Sequence, residues 1–264
     1  MRIAGATVLL TGATGGIGQA VARDMHARGA QLILTGRRAD VLEPLAQELG
    51  ARALAVDLSD AEDTQRLIDE AGRVDILIAN AALPGSGSLE SFSIEQIDRA
   101  LDVNLRAPIV MARVLAPKMA ARGEGHLLFV SSLSGKAPSP QSTLYNATKF
   151  GLRGFALALR AELHGSGVGA SVVCPGFIRE AGMFAEAGVK LPRGVGTRSP
   201  EDVARAVAGA IENNRAEVDV APFSLRAGAA FANLAPGLAA SVTRRTGGDE
   251  IATALAAGHS EGKR

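Results

Sequence analysis

The sequence predicts an α/β fold: a doubly wound parallel sheet of about seven strands with helices on both faces. Two observations predict it. Short apolar runs of strand character alternate with helical stretches along most of the 264 residues, and strands joined in this way lie parallel through right-handed crossovers. The first strand also ends in a glycine-rich turn that opens a helix, the junction where such sheets approach ligands. With 47% hydrophobic residues and no dividing linker, residues 1–264 read as a single domain with one well-buried core.

Residues 7–10 form the first strand, which runs into Thr11-Gly12-Ala13-Thr14-Gly15-Gly16-Ile17-Gly18; residues 19–28 then carry helical periodicity. Glycines here let the backbone approach a pyrophosphate, and the N–H groups of a helix start favour an anion, so a bound dinucleotide is predicted over a plain tight turn. Two spacings fit, Gly12 with Gly16 and Gly18 or Gly12 with Gly15 and Gly18. A second strand at 31–35 ends at Gly36-Arg37-Arg38. A site for NAD places a carboxylate here to bond the ribose 2′-hydroxyl, whereas guanidinium groups suit a 2′-phosphate. NADP(H) is therefore preferred, with NAD(H) second; a solvated pair of arginines is the competing reading.

A helix at 40–49 and a strand at 53–56 deliver Asp57, whose carboxylate either bonds an adenine amino group or caps a helix beginning near Ser59. A helix at 61–71 and a strand at 74–79 follow, ending at Asn80-Ala81-Ala82. Ser93 with Gln96 forms a capping box for a long helix, with Ser91 as the rival cap. Asn104 lies inside that helix, and Pro108 kinks it nearby. A kink at a polar residue opens polar groups to a site, although a tolerated surface asparagine reads nearly as well. The strand at 126–130 delivers Ser131 and Ser132, the strand at 170–174 ends at Pro175-Gly176, and 217–222 reads as the last strand.

The segment from Ser132 to Lys149 holds the chain's only tyrosine, Tyr145, four places before Lys149. On a helix these two side chains share a face. A phenol ionises near pH 10, so acid/base work at neutrality needs a shift of about three units, or about 4 kcal/mol. A cation about 4 Å away supplies that much at an effective dielectric near 20.

A net charge of +1 from 28 basic and 27 acidic residues gives no basic stripe for nucleic acid and no acidic tail. The expected partner is a small molecule. The lone Cys174 excludes an internal disulfide and fits a reducing compartment. The opening residues lack a signal-peptide layout, so a cytoplasmic location is expected. His26, His126, His164 and His259 share no ligand spacing; no metal is predicted, and surface or capping roles are expected for them.

Together, the turn at 11–18, Asp57, Asn80-Ala81, Asn104, Ser132 with Tyr145 and Lys149, and Pro175-Gly176 resemble the short-chain dehydrogenase/reductase family in its compact form. The resemblance covers about residues 5–221. It implies a single-domain Rossmann-like fold, selects Gly12, Gly16 and Gly18 as the turn set, and implies an NADP(H)-dependent enzyme interconverting a carbonyl and an alcohol. Tyr145 would be the general acid in reduction or base in oxidation, and Lys149 would lower its pKa and hold the nicotinamide ribose. Ser132 would bond the substrate oxygen, and Asn104 would hold a water linking Lys149 to solvent. Cofactor contacts are implied for Gly12, Thr14, Gly16, Ile17, Gly18, Arg37, Arg38, Asp57, Leu58, Asn80, Ala81, Tyr145, Lys149, Pro175, Gly176 and Ile178. A homodimer or homotetramer is implied as well. Three departures stand out: Ala79 and Ala82 flank the Asn80-Ala81 pair, Glu180 occupies a position often held by threonine, and the glycine-rich ending after the last strand is missing.

Residues 177–198 occupy the family's variable substrate lid, and Phe177, Met183, Phe184, Val189 and Leu191 make it apolar enough to suggest a hydrophobic ketone, aldehyde or alcohol. Residues 223–264 form an atypical carboxyl-terminal extension. Its uncharged stretch at 227–242 is too short and too interrupted by Pro236 and Gly237 to span a bilayer; packing on the domain or on another subunit leads, with a membrane-surface helix or a pocket cover behind. The rival functions are an epimerase or dehydratase using the same tyrosine, and a nucleotide-binding regulator without turnover.

Overall fold

Side chains alternate along the first strand, β1 (Thr7–Thr11), so Val8 and Leu10 enter one apolar cluster and Leu9 the other. Such burial on both faces is the mark of a parallel sheet covered on both sides. The fold is given by a computed structural model that describes residues 1–181, 185, 188, 195–245 and 253. The remaining strands are β2 (Gln31–Gly36), β3 (Arg52–Ala55), β4 (Ile76–Ala79), β5 (Gly125–Val130), β6 (Val168–Pro175) and β7 (Glu217–Val220). All pair in parallel, in the order β3-β2-β1-β4-β5-β6-β7. The order reverses between β1 and β4, which opens a crevice at their carboxyl ends. The doubly wound Rossmann-like α/β fold is thus present as expected.

Helices α1 (Gly16–Ala27) and α2 (Ala39–Glu48) cover one face of the sheet. Across the sheet lie α3 (Ala61–Ala71), α5 (Ala107–Arg122) and α6 (Thr143–Glu162), whose Leu67, Met111 and Leu152 join the same apolar cluster as Leu9 and Leu77. Between α3 and α5 runs α4 (Ile94–Leu101), capped by Ser93 and Gln96 in a full capping box. Ser91 is not the cap; its hydroxyl donates to the Ser88 carbonyl. A further helix, α7 (Pro200–Glu212), joins α1 on the first face through Val203, Val207 and Ile211. Ser199 caps it, and Asp202 completes the box.

Where the sequence predicts one long kinked helix after Ser93, a π-helical turn (Asp102–Arg106) separates α4 from α5. Pro108 sits in the first turn of α5, where a missing N–H costs nothing. The expected surface role for His126 is wrong: it is 1% exposed, and its Nε2 lies 2.9 Å from the Ser171 hydroxyl. Burial drives its imidazole down to about 3, so it is neutral. Beyond β7 the extension folds into two helices, α8 (Phe223–Leu234) and α9 (Pro236–Arg245). No helix among the described residues is long and apolar enough to cross a membrane.

Candidate active site

The crevice at the sheet's carboxyl end begins with the turn after β1. Gly12 has φ +67°, and a Cβ there would lie 2.7 Å from Ala81 Cα; one on Gly18 would lie 2.1 Å from the Gly12 carbonyl oxygen. Neither position accepts a side chain. A Cβ on Gly15 meets nothing closer than 3.6 Å, so Gly15 is replaceable, while Gly16 opens α1. Gly12 and Gly18, which both spacings share, are thus the positions where only glycine fits. Asn80 braces this turn: its Nδ2 donates to the carbonyls of Thr11 and Gly12, and Thr11 Oγ1 accepts from the Asn80 and Ala81 N–H groups at 3.0 Å each.

Further along the crevice, Arg38 Nη2 donates to the Thr14 carbonyl at 2.6 Å. Asp57 does not cap α3; Asp60 does. The Asp57 carboxylate accepts from the Ser59 N–H and hydroxyl and from Arg99 Nη2 at 3.0 Å, with Arg37 Nη1 more distant at 4.0 Å. Burial raises its pKa, but the Ser59 bonds and the two guanidinium groups outweigh that and hold it below the usual carboxylate range. Thr14, Ile17, Arg37, Arg38, Asp57 and Leu58 all face one continuous cavity of about 1050 Å³. Arg99 is absent from the sequence-level reading because its partner lies 42 residues away.

The same cavity reaches Ser132, Tyr145 and Lys149. Ser132 ends the β5 segment and opens a 3₁₀ turn (Leu133–Gly135). That turn lies against α6: a Cβ on Gly135 would sit 2.6 Å from the Lys149 carbonyl oxygen. Asn146 fastens it, donating to the carbonyls of Ser134 and Ala137 at 2.7 and 3.2 Å. At its far end Lys136 pairs with Glu217 and, at 2.5 Å, with Asp219 on β7. The loop carrying Ser132 is therefore held from both sides, by residues the motif reading passed over.

Ser132 Oγ donates to the Pro175 carbonyl at 3.4 Å and accepts from the Ser134 N–H at 3.1 Å, and the hydroxyl lies near enough to Tyr145 to act on its phenol. Lys149 is 1% exposed, its Nζ donates to the Val130 carbonyl at 2.9 Å, and it stands 5.6 Å from the centre of the Tyr145 ring. Burial pushes the Tyr145 phenol up to about 12, opposed by the Ser132 hydroxyl. Burial pushes the Lys149 ammonium down to about 8. The lowered phenol pKa expected from Lys149 is therefore not found: burial is the largest influence on Tyr145, and the influence that opposes it comes from the Ser132 hydroxyl. Asn104 is fully buried, and its side chain is engaged: Oδ1 accepts from the Leu83 N–H at 2.7 Å, while Nδ2 donates to the Leu83 carbonyl at 3.0 Å. It fixes the loop after β4.

Pro175, Gly176 and Ile178 border the cavity after β6, beside Phe177 and Val195. A bridge between Ile178 and Arg198 closes the base of the lid. Met183, Phe184, Val189 and Leu191 lie outside the described residues. Glu180 has φ +67° and pairs with Arg179. Among the described residues no cluster has the composition of a metal site.

The family described as short chain dehydrogenase matches residues 6–191. The chain belongs to the short-chain dehydrogenase/reductase family. It is similar to the ketoacyl reductase HetN of Nostoc sp., with 34% identity over 83% of this chain and 79% of that protein. It is also 34% identical to the 3-oxoacyl-[acyl-carrier-protein] reductase FabG of Rickettsia conorii, over 78% of this chain and 89% of that one. Among solved structures it resembles the bulky-bulky ketone specific alcohol dehydrogenase from Comamonas testosteroni, with TM-score 0.72 and 26% identity over 81% of this chain and 85% of that one. As a member of the family, the protein is an oxidoreductase acting on CH–OH and C=O groups with NAD(P). The side-chain-free approach at Gly12 and Gly18 and the open crevice beyond them fit such a dinucleotide.

Proposed function

We propose that this short-chain dehydrogenase/reductase interconverts a hydrophobic ketone or aldehyde and its alcohol with NADP(H), using Tyr145 as the proton donor. The observation that carries this reading is that Ser132, Tyr145 and Lys149 line the same cavity as the glycine-rich turn. When bound, the dinucleotide supplies the hydride to the carbonyl carbon. Ser132 and Tyr145 orient the carbonyl oxygen, and the Tyr145 O–H gives its proton to that oxygen as the C–H bond forms. A phenol held at about 12 is protonated at neutral pH, the state a proton donor requires. Lys149, behind the ring, restores charge balance as the proton leaves.

The NADP(H) preference rests on charge. Arg37 and Arg99 stand against one carboxylate, Asp57, with Arg99 its closer partner, while Arg38 bonds the Thr14 carbonyl. Arg37 is thereby left for a 2′-phosphate, and the end of β2 carries Gly36 rather than a carboxylate to oppose it. A second reading, reduction of a 3-ketoacyl group, is favoured by the names of the Nostoc and Rickettsia relatives. Family membership supports self-association as a homodimer or homotetramer, and light scattering checks it: a monomer at all concentrations contradicts it. The single buried cysteine supports a reducing, cytoplasmic setting.

A panel of ketones, aldehydes, ketoacyl thioesters and alcohols, assayed with NADPH and with NADH, tests the proposal. Sustained NADPH consumption with a ketone or aldehyde is expected. Epimerisation or dehydration without net cofactor turnover contradicts it.

A further inference from the structure

The cavity divides by charge. Its charged side chains, Arg37, Arg38, Asp57 and Lys149, all lie along the crevice at the carboxyl ends of the strands. Beyond Tyr145 the wall consists of Pro138, Phe177, Val195, Leu225, Phe231 and other uncharged residues, with only serine hydroxyls as polar groups. Among the described residues of that wall no cation can pair a carboxylate or phosphate on the substrate, and burying such a group unpaired is costly.

The far wall comes from the extension. Leu225, Gly228, Ala229 and Ala232 line the cavity; spaced i, i+3, i+4 and i+7, they form one face of α8. Pro236, Ala239 and Ala240 continue that wall on α9. These positions lie past the last strand, outside the matched span of residues 6–191.

We propose that the α8–α9 hairpin measures the substrate's tail: the site takes an uncharged carbonyl compound with a long aliphatic chain, its oxygen at Ser132 and Tyr145 and its tail against α8. This rests on the carbonyl-reductase reading given above. Gly228 supplies the test, since a Cβ there meets no heavy atom within 4 Å. Gly228→Leu places a side chain where a Cβ has open space on the cavity-lining face of α8, and leucine favours helix more than glycine does. Ala232, by contrast, is tightly buried, so Ala232→Val serves as the second, smaller obstruction.

The experiment measures kcat/KM with NADPH for 2-alkanones from four to twelve carbons, and for a twelve-carbon analogue ending in a carboxylate. In the wild type, kcat/KM should climb by up to about fourfold per methylene while the tail is being buried, and the terminal carboxylate should lower it at least tenfold. Gly228→Leu should cut kcat/KM for the longest ketones at least tenfold and leave butanone within twofold, with Ala232→Val shifting the length optimum the same way. Without cofactor, 2-decanone should raise the wild-type melting temperature and leave that of Gly228→Leu unchanged. Turnover with a flat length profile, or a steep profile that both variants leave intact, overturns the inference and spares the reductase reading. Absence of turnover with every ketone and alcohol overturns both.

Discussion

At the residue scale the catalytic pair is governed by desolvation. Burial raises the Tyr145 phenol to about 12 and lowers the Lys149 ammonium to about 8, so a protonated phenol stands beside a cation whose charge is only partly secured. The cofactor crevice turns on Arg99. Its bond to Asp57 is 1.0 Å shorter than the Arg37 contact, 3.0 against 4.0 Å. Arg99→Gln should let Asp57 draw Arg37 away and lower the ratio of kcat/KM for NADPH to that for NADH several-fold. Arg37→Ala should lower the same ratio further, by about 1.5–3 kcal/mol of lost charge-assisted bonding. A ratio unchanged in both variants contradicts the charge assignment.

At the element scale the decisive part is the 3₁₀ turn after β5. Lys136 ties it to Glu217 and Asp219, and Arg153 on α6 shares Glu217 at 2.5 Å. Burial would lower the Lys136 pKa, but the two carboxylates outweigh it and hold it above the ordinary value. Lys136→Met should cost about 2 kcal/mol in urea unfolding and lower kcat more than it changes KM for NADPH, because Ser132 loses its anchor while the crevice stays intact. Equal stability of variant and wild type would show the network to be idle. None of this was legible in the sequence, since Lys136 and Asp219 lie 83 residues apart. The capping box at Ser93 was legible because its bonds span three residues. The helix after Ser199 carries an equally local cap, and its Ser-Pro-Glu-Asp start was readable.

At the scale of the whole molecule, strand–helix alternation and the glycine turn predicted a parallel sheet, and the order β3-β2-β1-β4-β5-β6-β7 fulfils it. The residues around the crevice were readable because the fold delivers them from strand ends, which sequence periodicity locates. His126 was misread because a residue at the start of a strand can as easily be buried under a neighbour as exposed; only tertiary packing puts it against Ser171. Nor could periodicity tell where the helices after β7 would fold back.

Stability against pH follows from the two buried groups. Between about pH 8 and 10.5 the unfolded chain keeps the Lys149 proton that the folded chain has released, so stability rises with pH across that window. Between pH 10 and about 12 the folded chain keeps the Tyr145 proton that the unfolded chain has lost, so stability falls there. Urea unfolding of wild type and Lys149→Met at pH 7.5 and 9.5 checks the first part. The wild type should gain about 1–2 kcal/mol relative to the variant on going to the higher pH, and a gap independent of pH would contradict it.

The most direct measurement is turnover by Tyr145→Phe with NADPH and the best ketone, alongside its NADPH affinity and melting temperature. A fall in kcat of about 10²–10⁴-fold, with NADPH binding and folding retained, is the predicted result. Undiminished turnover would contradict the assignment of Tyr145 as the proton donor.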